Sequence, residues 1–130
     1  MKIGVLARET QTKVVTIRYY EKVGLLPRPP RSDANYRRYD EEALERLRFI
    51  RRCRTLGFTL EQVRDLLALK SEAGRPCVAV DRMTAAHLAE VERKIADLTA
   101  LAAELRRLAA SCRGEGTIQD CRIVEAISPA

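Results

Sequence analysis

The chain has 130 residues, enough for one ordinary domain or for a small domain and a long helix, and 24 Lys and Arg against 18 Asp and Glu give it a net charge of +6. No apolar run approaches the roughly 18–20 residues of a membrane span, and Met1 leads straight into a short amphipathic segment rather than a signal peptide, so a cytoplasmic protein without a membrane partner is expected. With one His, no His/Asp/Ser grouping and no glycine-rich phosphate loop, the sequence argues against an enzyme.

Helical periodicity dominates, and the expected fold is mainly α. Ile3, Val5, Leu6 and Ala7 begin a short first helix, and Thr10-Gln11-Thr12 reads as a turn with Thr12 the candidate N-cap of the next. A second helix runs from Lys13 to Val23 and ends at Gly24 in a left-handed cap. Residues 25–39 are irregular, with Pro27, Pro29, Pro30 and a dense set of Arg and Tyr. Asp40-Glu41-Glu42 opens a third helix that reaches Leu56 and stops at Gly57. Thr59-x-x-Gln62 is a capping-box signature for a fourth helix over 60–70, which Ala73-Gly74-Arg75-Pro76 breaks. A long helix follows from Val78 to Cys112, ended by Gly114 and Gly116, and a short helical turn spans Cys121 to Ile127. The expected organisation is a winged helix-turn-helix DNA-binding domain over 1–72, a dimerisation helix over 73–112, and a metal-binding loop with a short C-terminal helix over 113–130.

Charge follows this division. Residues 1–64 hold 15 basic and 8 acidic side chains, net +7, whereas residues 65–130 hold 9 and 10, net −1. A polyanion partner is therefore expected for the first half, with a merely soluble basic surface as the alternative. Two short helices joined by a turn and followed by a Pro-rich basic loop fit a winged helix-turn-helix on double-stranded DNA. The second helix offers Lys13, Thr16, Arg18, Tyr19 and Tyr20, and the loop offers Arg31, Asn35, Tyr36, Arg37 and Arg38, with Arg51, Arg52 and Arg54 as a candidate extension of the basic strip.

Along the long helix, positions 88, 91, 95, 98, 102, 105, 109 and 112 are small or apolar, a 3-4 heptad spacing. The short N-terminal helices are a poor match for a stripe of that length, so a coiled-coil homodimer is expected. Four cysteines in a reducing compartment argue for thiols or metal ligands rather than disulfides. Cys77 and Cys112 share the seam 35 residues apart, about 50 Å along one helix, too far to share an ion within one chain. In a parallel dimer they stay as far apart. In an antiparallel dimer centred near residues 94–95, Cys77 of one chain meets Cys112 of the other, and Cys121 returns through the loop 113–120. Three thiolates per site, two sites per dimer, favour soft ions such as Hg(II), Cd(II), Pb(II) or Zn(II) over Mg(II) or Ca(II). The alternative is three inert small apolar residues. Cys53 reads as structural and His87 as a surface or seam residue. Asp120 and Glu115 read as solvated charges rather than as a fourth ligand.

Thr16-Ile17-Arg18-Tyr19-Tyr20-Glu21, Val23-Gly24-Leu25-Leu26, Asn35-Tyr36-Arg37-Arg38-Tyr39 and Leu56-Gly57-Phe58-Thr59-Leu60 closely resemble the MerR family of bacterial regulators, and the likeness covers nearly the whole chain. The resemblance implies a homodimer joined by an antiparallel coiled coil. It also implies an operator inside a promoter whose spacer is too long for good contact with RNA polymerase holoenzyme. Effector binding then bends and untwists the DNA, realigning the promoter, while the effector-free protein represses. By position, Arg18, Tyr20, Tyr36 and Arg37 match the family's DNA contacts, and Cys77, Cys112 and Cys121 match the ligands of its divalent-ion sensors. Copper(I) sensors of the family have Ser in place of Cys77 and a loop one residue shorter, so Cu(I) is disfavoured. Zinc sensors add a second Cys beside Cys112 and a loop His; here the neighbours are Ser111 and Arg113 and the loop has no His, which shifts the expectation toward mercury, lead or cadmium. The four clustered cysteines of the iron–sulfur member are absent. The reading is a metal-responsive regulator of efflux or detoxification genes, with two alternatives: a thiol-redox-responsive regulator of the same family, and a cytosolic metal-buffering protein.

Overall fold

A computed structural model describes residues 1–29 and 38–129, all helix, turn or irregular backbone, with no strand among them. The elements are α1 (Ile3–Thr10), α2 (Val14–Lys22), α3 (Glu41–Thr55), α4 (Leu60–Lys70), α5 (Val78–Ala110), a 3-10 turn (Ile118–Asp120) and α6 (Arg122–Ile127). The chain forms two compact units, Met1–Pro76 and Cys77–Ala130.

In the first unit α1 packs on α2 and α3, and α3 on α4. Leu6, Ile17, Leu25, Leu26, Leu47, Ile50 and Val63 are fully buried and form its core. Several junctions satisfy their loose backbone groups locally. Asp40 caps α3 by accepting from the Ala43 amide at 2.9 Å. Thr59 and Gln62 form the reciprocal capping box of α4, at 3.2 and 2.9 Å. After α2, Gly24 takes a φ of +81° while the Leu25 amide donates to Tyr20 O and the Gly24 amide to Glu21 O. The same pattern closes α3, where the Phe58 amide reaches Cys53 O and the Gly57 amide Arg54 O. In both, the residue after the glycine is buried and seals the turn.

The first turn departs from expectation. Thr12 does not cap α2; Lys13 holds the N-cap position without a side-chain bond, and the Thr12 hydroxyl donates to Thr10 O at 3.1 Å. The turn is made instead by Gln11, the one non-glycine residue with positive φ (52°) among the described residues. Arg51 braces it by donating to its carbonyl and side-chain oxygens. Just before α3, Tyr39 and Met1 exchange backbone hydrogen bonds at 2.8 and 2.6 Å, and the Tyr39 hydroxyl donates to the buried Glu21 carboxylate at 3.2 Å.

In the second unit, α5 is 33 residues of continuous helix, about 50 Å long. The 3-10 turn and two left-handed glycines, Gly114 and Gly116, then reverse the chain so that α6 packs back on α5.

Candidate functional site

On α2 the helical period separates two faces. Ile17, Tyr20 and Glu21 point inward, whereas Lys13, Arg18 and Tyr19 are exposed and Thr16 is half-buried. Tyr20 packs inward: at 8% exposure it sits with the core, three residues on from Ile17, rather than on the outward face with Arg18 and Tyr19. Arg38 is exposed next to the anchored Tyr39. Arg31, Asn35, Tyr36 and Arg37 lie outside the described residues. Val15, which the sequence reading left unassigned, is 75% exposed on the outward face of α2.

The basic strip on α3 is partly internal bracing. Arg51 holds the Gln11 turn, and Arg54 donates to Phe58 O at 2.7 Å, which leaves Arg52 as the member of the trio with no such anchor described. Arg46 of α3 and Arg64 of α4 likewise donate to Leu25 O and Val23 O, both at 2.7 Å, at the carboxyl end of α2. A sequence shows that these side chains are charged but not that a carbonyl lies within reach.

The second unit brings two of the three expected thiols together. Cys121 is the N-cap residue of α6 and has Cys112 as its neighbouring thiol. The backbone amides at the start of α6, Val124 first and then Ile123, and more weakly the Cys112 thiol, hold the Cys121 thiol below its usual range. Cys112 follows the C-cap Ser111 and in turn accepts from the Gly114 amide at 3.4 Å. Asp120 is engaged by the Thr117 hydroxyl at 3.2 Å. Cys77 is exposed at the opposite end of α5, as its N-cap residue. Among the described residues no single chain gathers three Cys, His, Asp or Glu around one point. Cys53 is apart from all of these. It is buried in α3, and desolvation pushes its thiol up.

The seam predicted on α5 stands open. No residue of the helix is buried, and Leu88, Val91, Ile95, Leu98 and Leu105 are all exposed. Leu101 and Val80 extend the apolar stripe on the same helix. Among the described residues no helix is long and apolar enough to cross a membrane.

Residues 1–70 match the family model "MerR HTH family regulatory protein", and residues 44–108 match "MerR, DNA binding". The chain belongs to the MerR family. This MerR chain is 40% identical to the HTH-type transcriptional regulator HmrR of Sinorhizobium medicae, over 96% of its own length and 84% of the relative's. It is 38% identical to heavy metal-dependent transcription regulator 2 of Rhizobium meliloti, over 98% and 86%. Among solved structures it is similar to the transcription regulator PbrR691 from Ralstonia metallidurans, crystallised in complex with lead(II). The two share 42% identity and a TM-score of 0.86, with 98% and 99% of the chains covered. For a MerR-family protein, then, the mainly helical fold with an N-terminal helix-turn-helix and a long C-terminal helix is as expected.

Proposed function

We propose that this chain is a metal-responsive transcription regulator. It binds promoter DNA as a homodimer and, on taking up Hg(II), Pb(II), Cd(II) or Zn(II), activates efflux or detoxification genes by distorting the promoter for RNA polymerase. The observation that carries this reading is the placement of the thiols: Cys112 and Cys121 neighbour one another at one end of α5, while Cys77 lies a whole helix away on the same open seam. Head-to-tail pairing of two α5 helices covers the apolar stripe and brings the partner's Cys77 to the Cys112–Cys121 pair in one arrangement. The names and contents of similar proteins, heavy metal-dependent in one and lead-bound in another, support the same reading.

Residues 1–72 serve DNA binding, 73–112 dimerisation and 113–130 the metal loop. Cys77, Cys112 and Cys121 would hold the ion, which supplies strong thiolate bonds that fasten the loop of one protomer to its mate. The Gly114 amide orients the Cys112 sulfur, and backbone amides favour the ionised form of Cys121. A dimer fastened in this way favours one arrangement of its two DNA-binding units over others, and the difference in free energy drives the deformation of the DNA. A metal-buffering role leaves the first 70 residues, which match the helix-turn-helix family, without a task.

The test is a reporter driven by the gene's own promoter, titrated with Hg, Pb, Cd, Zn and Cu salts and with hydrogen peroxide. Induction by a soft divalent ion, lost in Cys112→Ser while operator binding persists, supports the assignment. A full metal response in Cys112→Ser, or a response to peroxide alone, overturns it.

A further inference from the structure

The DNA-binding unit exposes three large hydrophobic side chains among its described residues, Val15, Tyr19 and Leu56, and the first two stand one turn apart on α2. Val15 is near the middle of the outward face, with Arg18, Tyr19 and Lys22 following at i+3, i+4 and i+7. A β-branched side chain is a poor choice for a solvated helix position, because its rotamers are restricted there and it gains no burial in return. Single exposed apolar residues are ordinary on protein surfaces. This one, however, shares its helix face with a second, and Arg18 and Lys22 flank the pair on that face.

An apolar centre with a cationic rim is complementary to the DNA major groove. The groove is wide enough for a helix, its walls are phosphates, and the C5-methyl of thymine is the apolar group on its floor. We infer that Val15 is a specificity-determining residue whose methyl groups read thymine C5-methyls in the operator, with Tyr19 beside it. This rests on the promoter-binding reading above.

The test uses the full-length protein to enrich duplexes from a randomised pool. The enriched duplex is then remade with each thymine replaced in turn by uracil, which removes only the C5-methyl. In each half-site, one or two replacements weaken binding about fourfold, the worth of one buried methylene-sized group. Val15→Ala shows no such penalty, and Val15→Thr, with one methyl left, shows part of it. Both variants change an exposed residue, so the core is untouched. If uracil is neutral everywhere, or wild type and Val15→Ala lose affinity equally at every thymine, Val15 is not the reader. If no duplex is enriched, the promoter-binding reading fails as well. Tight binding without a Val15-dependent thymine preference removes only the role of Val15.

Discussion

Replacing Leu98 by alanine probes the α5 seam without disturbing the protomer, because α5 contains no buried residue. Leu98 is 63% exposed in the single chain. Fully burying a leucine is worth about 1.5–3 kcal/mol, so covering the exposed part contributes roughly 1–2 kcal/mol per copy. Two copies per dimer make roughly 2–4 kcal/mol, and the dimer dissociation constant should rise by between about thirtyfold and several hundredfold. Sedimentation velocity over a concentration series measures this directly. Arg107→Ala, on the opposite face of the helix one heptad on, should leave the constant unchanged within about twofold. An unaltered dimer in Leu98→Ala, or an equal loss in Arg107→Ala, would refute pairing along this stripe.

Thr59→Ala removes one half of the α4 capping box and loosens the other, and should lower stability by about 1 kcal/mol, read as a fall of roughly 5 °C in Tm. Leu47→Ala, at a fully buried core position, should cost about 2–5 kcal/mol in chemical denaturation. Limited alkylation followed by mass spectrometry should label Cys121 well before Cys53, since the thiolate is the reacting form. Backbone amides lower the pKa of the Cys121 thiol, so its reactivity should persist to lower pH, whereas burial raises the pKa of Cys53 and suppresses its thiolate; equal rates for the two would contradict the described environments. Cys53→Ser should leave metal induction unchanged, as the reporter titration will show.

Punctuation residues made much of the fold legible. Gly24, Gly57, Asp40 and the Thr59/Gln62 pair act through local backbone chemistry that depends on residue type, and each ends or begins a helix where expected. The long helix was also legible, ending at Ala110 rather than Cys112. What escaped was set by tertiary neighbours. Gln11 adopts a left-handed backbone with an arginine from α3 bracing it, which no local signal announces. Tyr20 could be placed on the core side only once Ile17 and Glu21 were seen to share it. Of the three candidate thiolates, the proximity of Cys112 and Cys121 depends on how two glycines steer the chain between them, a detail that spacing alone leaves open.

The two guanidiniums at the carboxyl end of α2 have a consequence for how this protein is mapped. Arg46 and Arg64 come from different helices, yet grip carbonyls only two residues apart, Leu25 O and Val23 O, and so fix the tilt of the segment that carries Arg18. Truncating either one should misaim that segment and weaken operator affinity without removing any atom that touches a base. A survey of loss-of-binding substitutions will therefore trace the scaffold as well as the footprint. Only a nucleotide-by-nucleotide readout can separate the two.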